Sequence, residues 1–175
     1  PTALVTFIIG KEGDTTPFLI HKEVACAHSK VLNAAFNSNF IEGQTQTYKL
    51  EDTIEAAFKL FMQWLYSQKL VLTALDNKLD YSKLIIGPDT KSLTYLWVLA
   101  DKLEMPALQN TALRAIQEIS LRAEKIHTST YPWLYKNTAP DSPLRRYSVA
   151  KLATLNVDKF AEKSKNFPKQ MLVDL

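Results

Sequence analysis

Apolar positions along residues 3–21 fall into two β-branched and aromatic runs, ALVTFIIG and PFLIH, separated by the turn-rich stretch KEGDTT with its Gly13 and Asp14. Such runs on either side of a short polar turn predict a β-hairpin. The pattern then becomes helical. KEVACAHS predicts a short helix, and KVLNAAF places Val31, Leu32, Ala35 and Phe36 on one helical face, with Ser29 positioned as the N-cap. TYKLED predicts a third short strand, after which Asp52 or Thr53 is expected to cap a strong helix over residues 54–66. In that helix Ile54, Phe58, Phe61, Met62 and Leu65 recur at helical spacing, while Glu55, Lys59, Gln63 and Ser67 leave one thin polar stripe. A helix of that kind is buried on most sides.

Further along, KLVLT predicts another strand, and residues 74–90, with GPD near their end, predict an irregular connection. SLTYLWVLADKLE is apolar almost all round. Pro106 stands where a first helical turn tolerates it, and Leu108, Ala112, Ala115, Ile116 and Ile119 give the following helix a clean inner face. The fold class implied is α+β, a helical core that shields Trp64 and Trp97 with a small sheet on one side. Beyond residue 125 the texture loosens, but DSP predicts a helix starting near Pro143, and Phe160 and Phe167 are expected to anchor a basic C-terminal segment. No internal repeat or low-complexity segment interrupts the chain.

Composition sharpens this picture in a few respects. A chain of 175 residues fits one domain with room for an appendage, and 46% apolar with 22% charged residues excludes general disorder. No apolar run approaches the roughly 20 residues of a membrane span, and no signal peptide opens the sequence, which begins at Pro1 as a fragment would. The lone cysteine makes no internal disulfide and points to a reducing, intracellular compartment, nuclear or cytoplasmic. A net charge of +3 does not demand a polyanionic partner. Residues 145–169, however, hold seven Lys or Arg against Asp158 and Glu162, so a nucleic-acid-associated role is the alternative to be tested.

The stretch IHKEVACAHSK, residues 20–30, packs two of the three histidines beside the only cysteine. On a helix Cys26 and His28 lie about 200° apart, and His21 and His28 about 10 Å apart along the axis, so they do not share a metal ion. Cys26 between alanines has no neighbouring base in sequence, although His127 could approach it through the fold, and it reads as packing. With glycines only at positions 10, 13, 43 and 87, no phosphate-cradling loop is available. Glu51 and Asp52 sit at a strand-to-helix boundary, where capping accounts for them. No catalytic constellation, metal site or cofactor site is expected.

A set of residues in order nevertheless has a known likeness. PFLIHK (residues 17–22), Ser29, Phe36, Phe40 to Glu42, Leu50 with Asp52, Phe61 with WLY (64–66), and LADKLEMPALQN (99–110) together resemble a BTB/POZ domain, specifically its fungal form. The likeness covers residues 4 to about 118, and YPWLYKNTAPDSPLRR extends it to roughly residue 147. It implies a BTB/POZ fold over residues 1–120, a C-terminal helical extension over 121–175, and a protein-interaction module without catalysis. Such modules form homodimers or dock partners, some on cullin scaffolds of ubiquitin ligases and some on transcriptional regulators. By the same likeness His21 and Lys22 form the strand-to-helix corner, and His28 ends a helix whose dipole favours it.

Two departures follow. Many relatives carry an aspartate near the corner lysine where this chain has Leu4, which leaves Lys22 without that partner. Many dimeric relatives exchange an N-terminal helix and strand, for which the sequence before Pro1 offers nothing. Phe40, Ile41 and Glu42 keep the hydrophobic-x-Glu pattern of cullin-binding relatives. With Lys22 they form the expected partner-binding set.

Overall fold

The computed structural model describes residues 3–175; Pro1 and Thr2, which open the expected first domain, lie outside the described residues. Strand β1 (Leu4–Ile9) buries Val5, Phe7 and Ile9 and turns Leu4, Thr6 and Ile8 the other way, the period of two that a half-buried strand requires. It pairs antiparallel with β2 (Thr16–His21), Phe7 opposite Phe18. The intervening turn needs Gly10, whose φ is +102° and where a Cβ would stand 2.4 Å from the Asp14 carbonyl oxygen. Three short helices follow, α1 (Lys22–His28), α2 (Lys30–Phe36) and α3 (Ile41–Thr45). The chain then returns as β3 (Thr47–Leu50), parallel to β1 with Tyr48 opposite Phe7, so the sheet is mixed, in the order β2-β1-β3.

Helices α4 (Glu55–Ser67), α5 (Gly87–Lys102) and α6 (Pro106–Ala123) supply the centre, with α5 and α6 joined through Glu104 in the left-handed conformation. The inward residues expected of α6, Leu108, Ala112, Ala115, Ile116 and Ile119, are all buried. Phe7 of the sheet meets Phe36, Phe58 and Phe61 at ring-centroid distances of 5.7, 5.2 and 6.3 Å, an aromatic cluster that locks sheet to helices. Trp64 and Trp97 are shielded as expected, 5% and 2% exposed. The architecture is α+β.

The remaining chain forms α7 (Tyr131–Asn137), α8 (Pro143–Leu152), α9 (Val157–Glu162) and α10 (Lys169–Asp174). Ser142 caps α8, its hydroxyl accepting from the Arg145 N–H, with Pro143 in the first turn as the DSP pattern predicts. Trp133 of α7 stacks flat on Tyr95 of α5, ring centroids 3.7 Å apart. Leu134 and Leu144 join the main core, and Tyr131, Leu152, Phe167 and Met171 form a second, smaller one.

Three local expectations are corrected. KLVLT forms no strand: the Lys69 N–H is taken by Ser67 Oγ at 3.2 Å and the Val71 N–H by Gln63 Oε1 at 2.8 Å, so side chains consume donors a ladder would need. Neither Asp52 nor Thr53 caps α4; Ile54 occupies the cap position without a side-chain bond, Thr53 is buried, and Asp52 faces Lys102 at 3.8 Å. The GPD tripeptide opens α5 instead of ending a loop, because Pro88 pre-sets the first turn and Asp89 complements the helix dipole there.

Candidate protein-docking site

The segment between α2 and β3 carries the residues expected to meet a partner, and its frame is built from short polar bonds. At the end of α2 the Ser38 hydroxyl donates to the Ala35 carbonyl at 2.8 Å and accepts from the Phe40 N–H at 3.1 Å, which ends one helix and starts the next. Gln44 Nε2 donates to the Asn39 carbonyl at 2.7 Å. Gln46, at φ 52°, donates its side-chain amide to the Phe36 carbonyl at 2.9 Å and to the Gly43 carbonyl at 2.7 Å. Gly43 tolerates no side chain, since a Cβ there would lie 1.8 Å from the Ser38 carbonyl oxygen. This bracing holds α3 on the end of α2.

On that frame Phe40 and Ile41 point outward, 75% and 64% exposed. Two large adjacent apolar side chains thus stand in water on a braced turn, available for contact with a partner. Glu42 is half-buried, and its charge adds to the stronger effect of burial in pushing the Tyr48 phenol above its ordinary range. Lys22 lies underneath: half-buried at the β2–α1 corner, it donates from Nζ to the Phe36 carbonyl at 3.0 Å, the oxygen that Gln46 also uses. The structure thus brings Phe40, Ile41 and Glu42 together at the surface and places Lys22 behind them. Sequence reasoning passed over Gly43 and Gln46; a glycine directly after the hydrophobic-x-Glu run was the available signal.

The histidines and cysteine near residue 25 have separate partners. His21 Nδ1 lies 2.8 Å from the Tyr66 hydroxyl, whose oxygen also accepts from the His21 N–H at 3.0 Å. His28 sits edge-on to Trp64 at 5.5 Å and reaches Gln68. Cys26 faces the Leu32 carbonyl, and burial pushes its thiol up, away from nucleophilic character. His127 packs against Gly87 and within 2.8 Å of the Ser129 hydroxyl; burial foremost, then Lys163 and Lys91, hold its imidazole below the usual range. Among the described residues no group of three His, Cys, Asp or Glu could hold a metal ion, and no helix is long and apolar enough to cross a membrane.

The basic segment is also altered by folding. Arg145 is only 8% exposed and spends its guanidinium on Thr138 Oγ1 at 2.8 Å, the Tyr135 carbonyl at 2.6 Å and the Thr138 carbonyl. Arg146 donates to the Asp141 carbonyl at 2.8 Å. One of the seven cations counted in the sequence is therefore core structure.

The model of the BTB/POZ domain family matches residues 5–120. The chain belongs to the BTB/POZ family. BTB/POZ domains are generally protein–protein interaction modules and generally not catalysts, and a site made of exposed apolar groups on a braced turn is of a kind with that role. Among solved structures, the BTB domain of zebrafish PATZ1 is similar at 15% sequence identity over 64% of this chain and 75% of that one, with a TM-score of 0.41. No curated protein matches the sequence. The BTB/POZ match ends at Ser120, one turn before the end of α6.

Proposed function

We propose that this BTB/POZ chain docks a protein partner through Phe40 and Ile41, and that the partner is a cullin-type scaffold of a ubiquitin ligase, for which the chain serves as adaptor. The observation that carries the proposal is the pair of outward apolar side chains, 75% and 64% exposed, on a turn already held rigid in the free protein. Rigidity matters because docking an ordered loop loses little conformational entropy. The rings and branches supply contact that gains most when desolvated, and Glu42 supplies orientation through what remains of it at the surface. Lys22 acts on the site from below, through the Phe36 carbonyl. Residues 1–120 form the docking domain in this proposal, residues 121–175 a helical extension packed against it, and self-association as a homodimer is a second use of the same kind of surface.

Calorimetric titration of the intact chain with a cullin N-terminal fragment tests this. Phe40→Ala combined with Ile41→Ala is expected to weaken binding by about 2 kcal/mol or more, roughly thirty-fold. Lys22→Met should weaken it less, because it loosens the frame without removing contact. An unchanged Kd in the double variant moves the interface elsewhere. Absence of binding by the intact chain removes the cullin and leaves the interaction module, whose self-association light scattering then reads. The nucleic-acid alternative loses Arg145 to the core.

A further inference from the structure

Away from the Phe40 surface lies a cleft of about 670 Å³ where the C-terminal end of α6 and the segment after it meet the junction of α8 and α9. Its volume falls within the roughly 300–1,000 Å³ of clefts that hold ligands. Four lysines line it, Lys125, Lys151, Lys159 and Lys163, against the carboxylates of Glu124 and Glu162. Among the described residues none of these four lysines makes an ion pair, and neither glutamate does. Lys125 is held in place by the Ser82 and Leu84 carbonyls at 3.0 and 2.9 Å, and Asn156 caps α9 through the Lys159 N–H at 2.9 Å, so the positive rim is mounted on fixed backbone. Between the lysines the lining is mixed: Ser120, His127, Thr154 and Asn156 alternate with Ile86, which is buried, Ile126 and Leu155, which are half-buried, and the exposed Leu121.

The occupant follows from these properties. Four lysines against two carboxylates leave the cleft a net positive charge, which attracts an anion. No Phe, Tyr or Trp lines the cleft, so the stacking platform of a single-stranded nucleic-acid site is missing, whereas Ile126 and Leu155 offer a seat for an aliphatic side chain. We propose that this cleft binds an acidic peptide segment of a partner protein, its carboxylates against Lys151, Lys159 and Lys163 and an aliphatic side chain between them seated on Ile126 and Leu155. The site is separate from Phe40 and Ile41, and its existence does not depend on cullin docking.

Fluorescence anisotropy of the full chain tests this with a labelled nonapeptide of alternating glutamate and leucine, an all-glutamate peptide, a lysine–leucine peptide and a short labelled DNA duplex. The glutamate–leucine peptide should bind saturably, weaken as salt rises, and lose at least about ten-fold in affinity in the Lys159→Glu, Lys163→Glu double variant. The milder Lys159→Gln should give a smaller loss in the same direction, and Lys69→Glu, outside the cleft, should change affinity less than about two-fold. Circular dichroism confirms that each variant is folded. The proposal is overturned by the absence of saturable binding, by equal binding of the all-glutamate or lysine–leucine peptide, by affinity that the cleft variants leave unchanged, or by a duplex that binds more tightly and displaces the peptide.

Discussion

Arg145 illustrates how a single residue changes meaning on folding. Counted along the chain it is one of seven cations in a basic tail; in the fold it is a buried connector between α7 and α8, its guanidinium lying 4.3 Å over the Tyr135 ring. No carboxylate pairs with it among the described residues; carbonyl oxygens and one hydroxyl take its protons. Arg145→Met retains most of the volume but strips those acceptors of their donors, and should cost about 2–3 kcal/mol in urea denaturation. Arg145→Lys should recover less than half of the loss, since one ammonium cannot span the same acceptors. Gly43 makes a similar point. Nothing in the neighbouring letters shows that the Ser38 carbonyl will come to rest where its Cβ would be.

At the level of elements, the positions that read well were those whose partner is simply the core. The strands β1 and β2, the inner face of α6 and the nearly all-apolar α5 follow from periodicity because any core accepts an apolar face. The errors lay where local side chains decided: Ser67 and Gln63 took backbone donors of the expected fourth strand, and Pro88 started α5 early. Ser29 combines both behaviours. Its hydroxyl caps α2 by accepting from the Leu32 N–H at 3.1 Å, as its place in the sequence predicts. The same hydroxyl donates to the Leu103 carbonyl at 2.7 Å, tying α2 to the end of α5 across 74 residues, which only the fold reveals. Ser29→Ala removes a cap and leaves a buried acceptor unpaired, together about 2 kcal/mol. For a chain of this size the thermal midpoint should fall by about 4–8 °C, twice the drop expected if the cap alone mattered.

For the whole molecule, the proposed division at residue 120 assigns α7–α10 to an extension rather than to a separate body. Trp133 stacks on Tyr95, and Leu134 and Leu144 share one core with Phe7 and Trp97. Burying two leucines alone is worth about 3–6 kcal/mol. A chain ending after Lys125 should therefore melt at least about 5 °C below the intact protein and bind a hydrophobic dye that the intact protein excludes. Equal melting temperatures would show that the first 125 residues stand alone and that the extension adds nothing to their stability.

Hydrophobic periodicity by itself determined the α+β class and the two central helices with their shielded indoles, because those features depend on which side chains leave water, and the DSP pattern determined the capped start of α8, because a cap is a bond between near neighbours in sequence. The ordered motif set, separately from periodicity, resembled the BTB/POZ family, which the family model over residues 5–120 then showed. Tertiary structure alone decided that Lys22 braces the end of α2 through the Phe36 carbonyl, that Arg145 is interior, and that Lys125 joins Lys151, Lys159 and Lys163 at one cleft. The reason is physical: burial is a property of a residue and its near neighbours, whereas a hydrogen-bond partner or a local field is a property of where two distant segments meet.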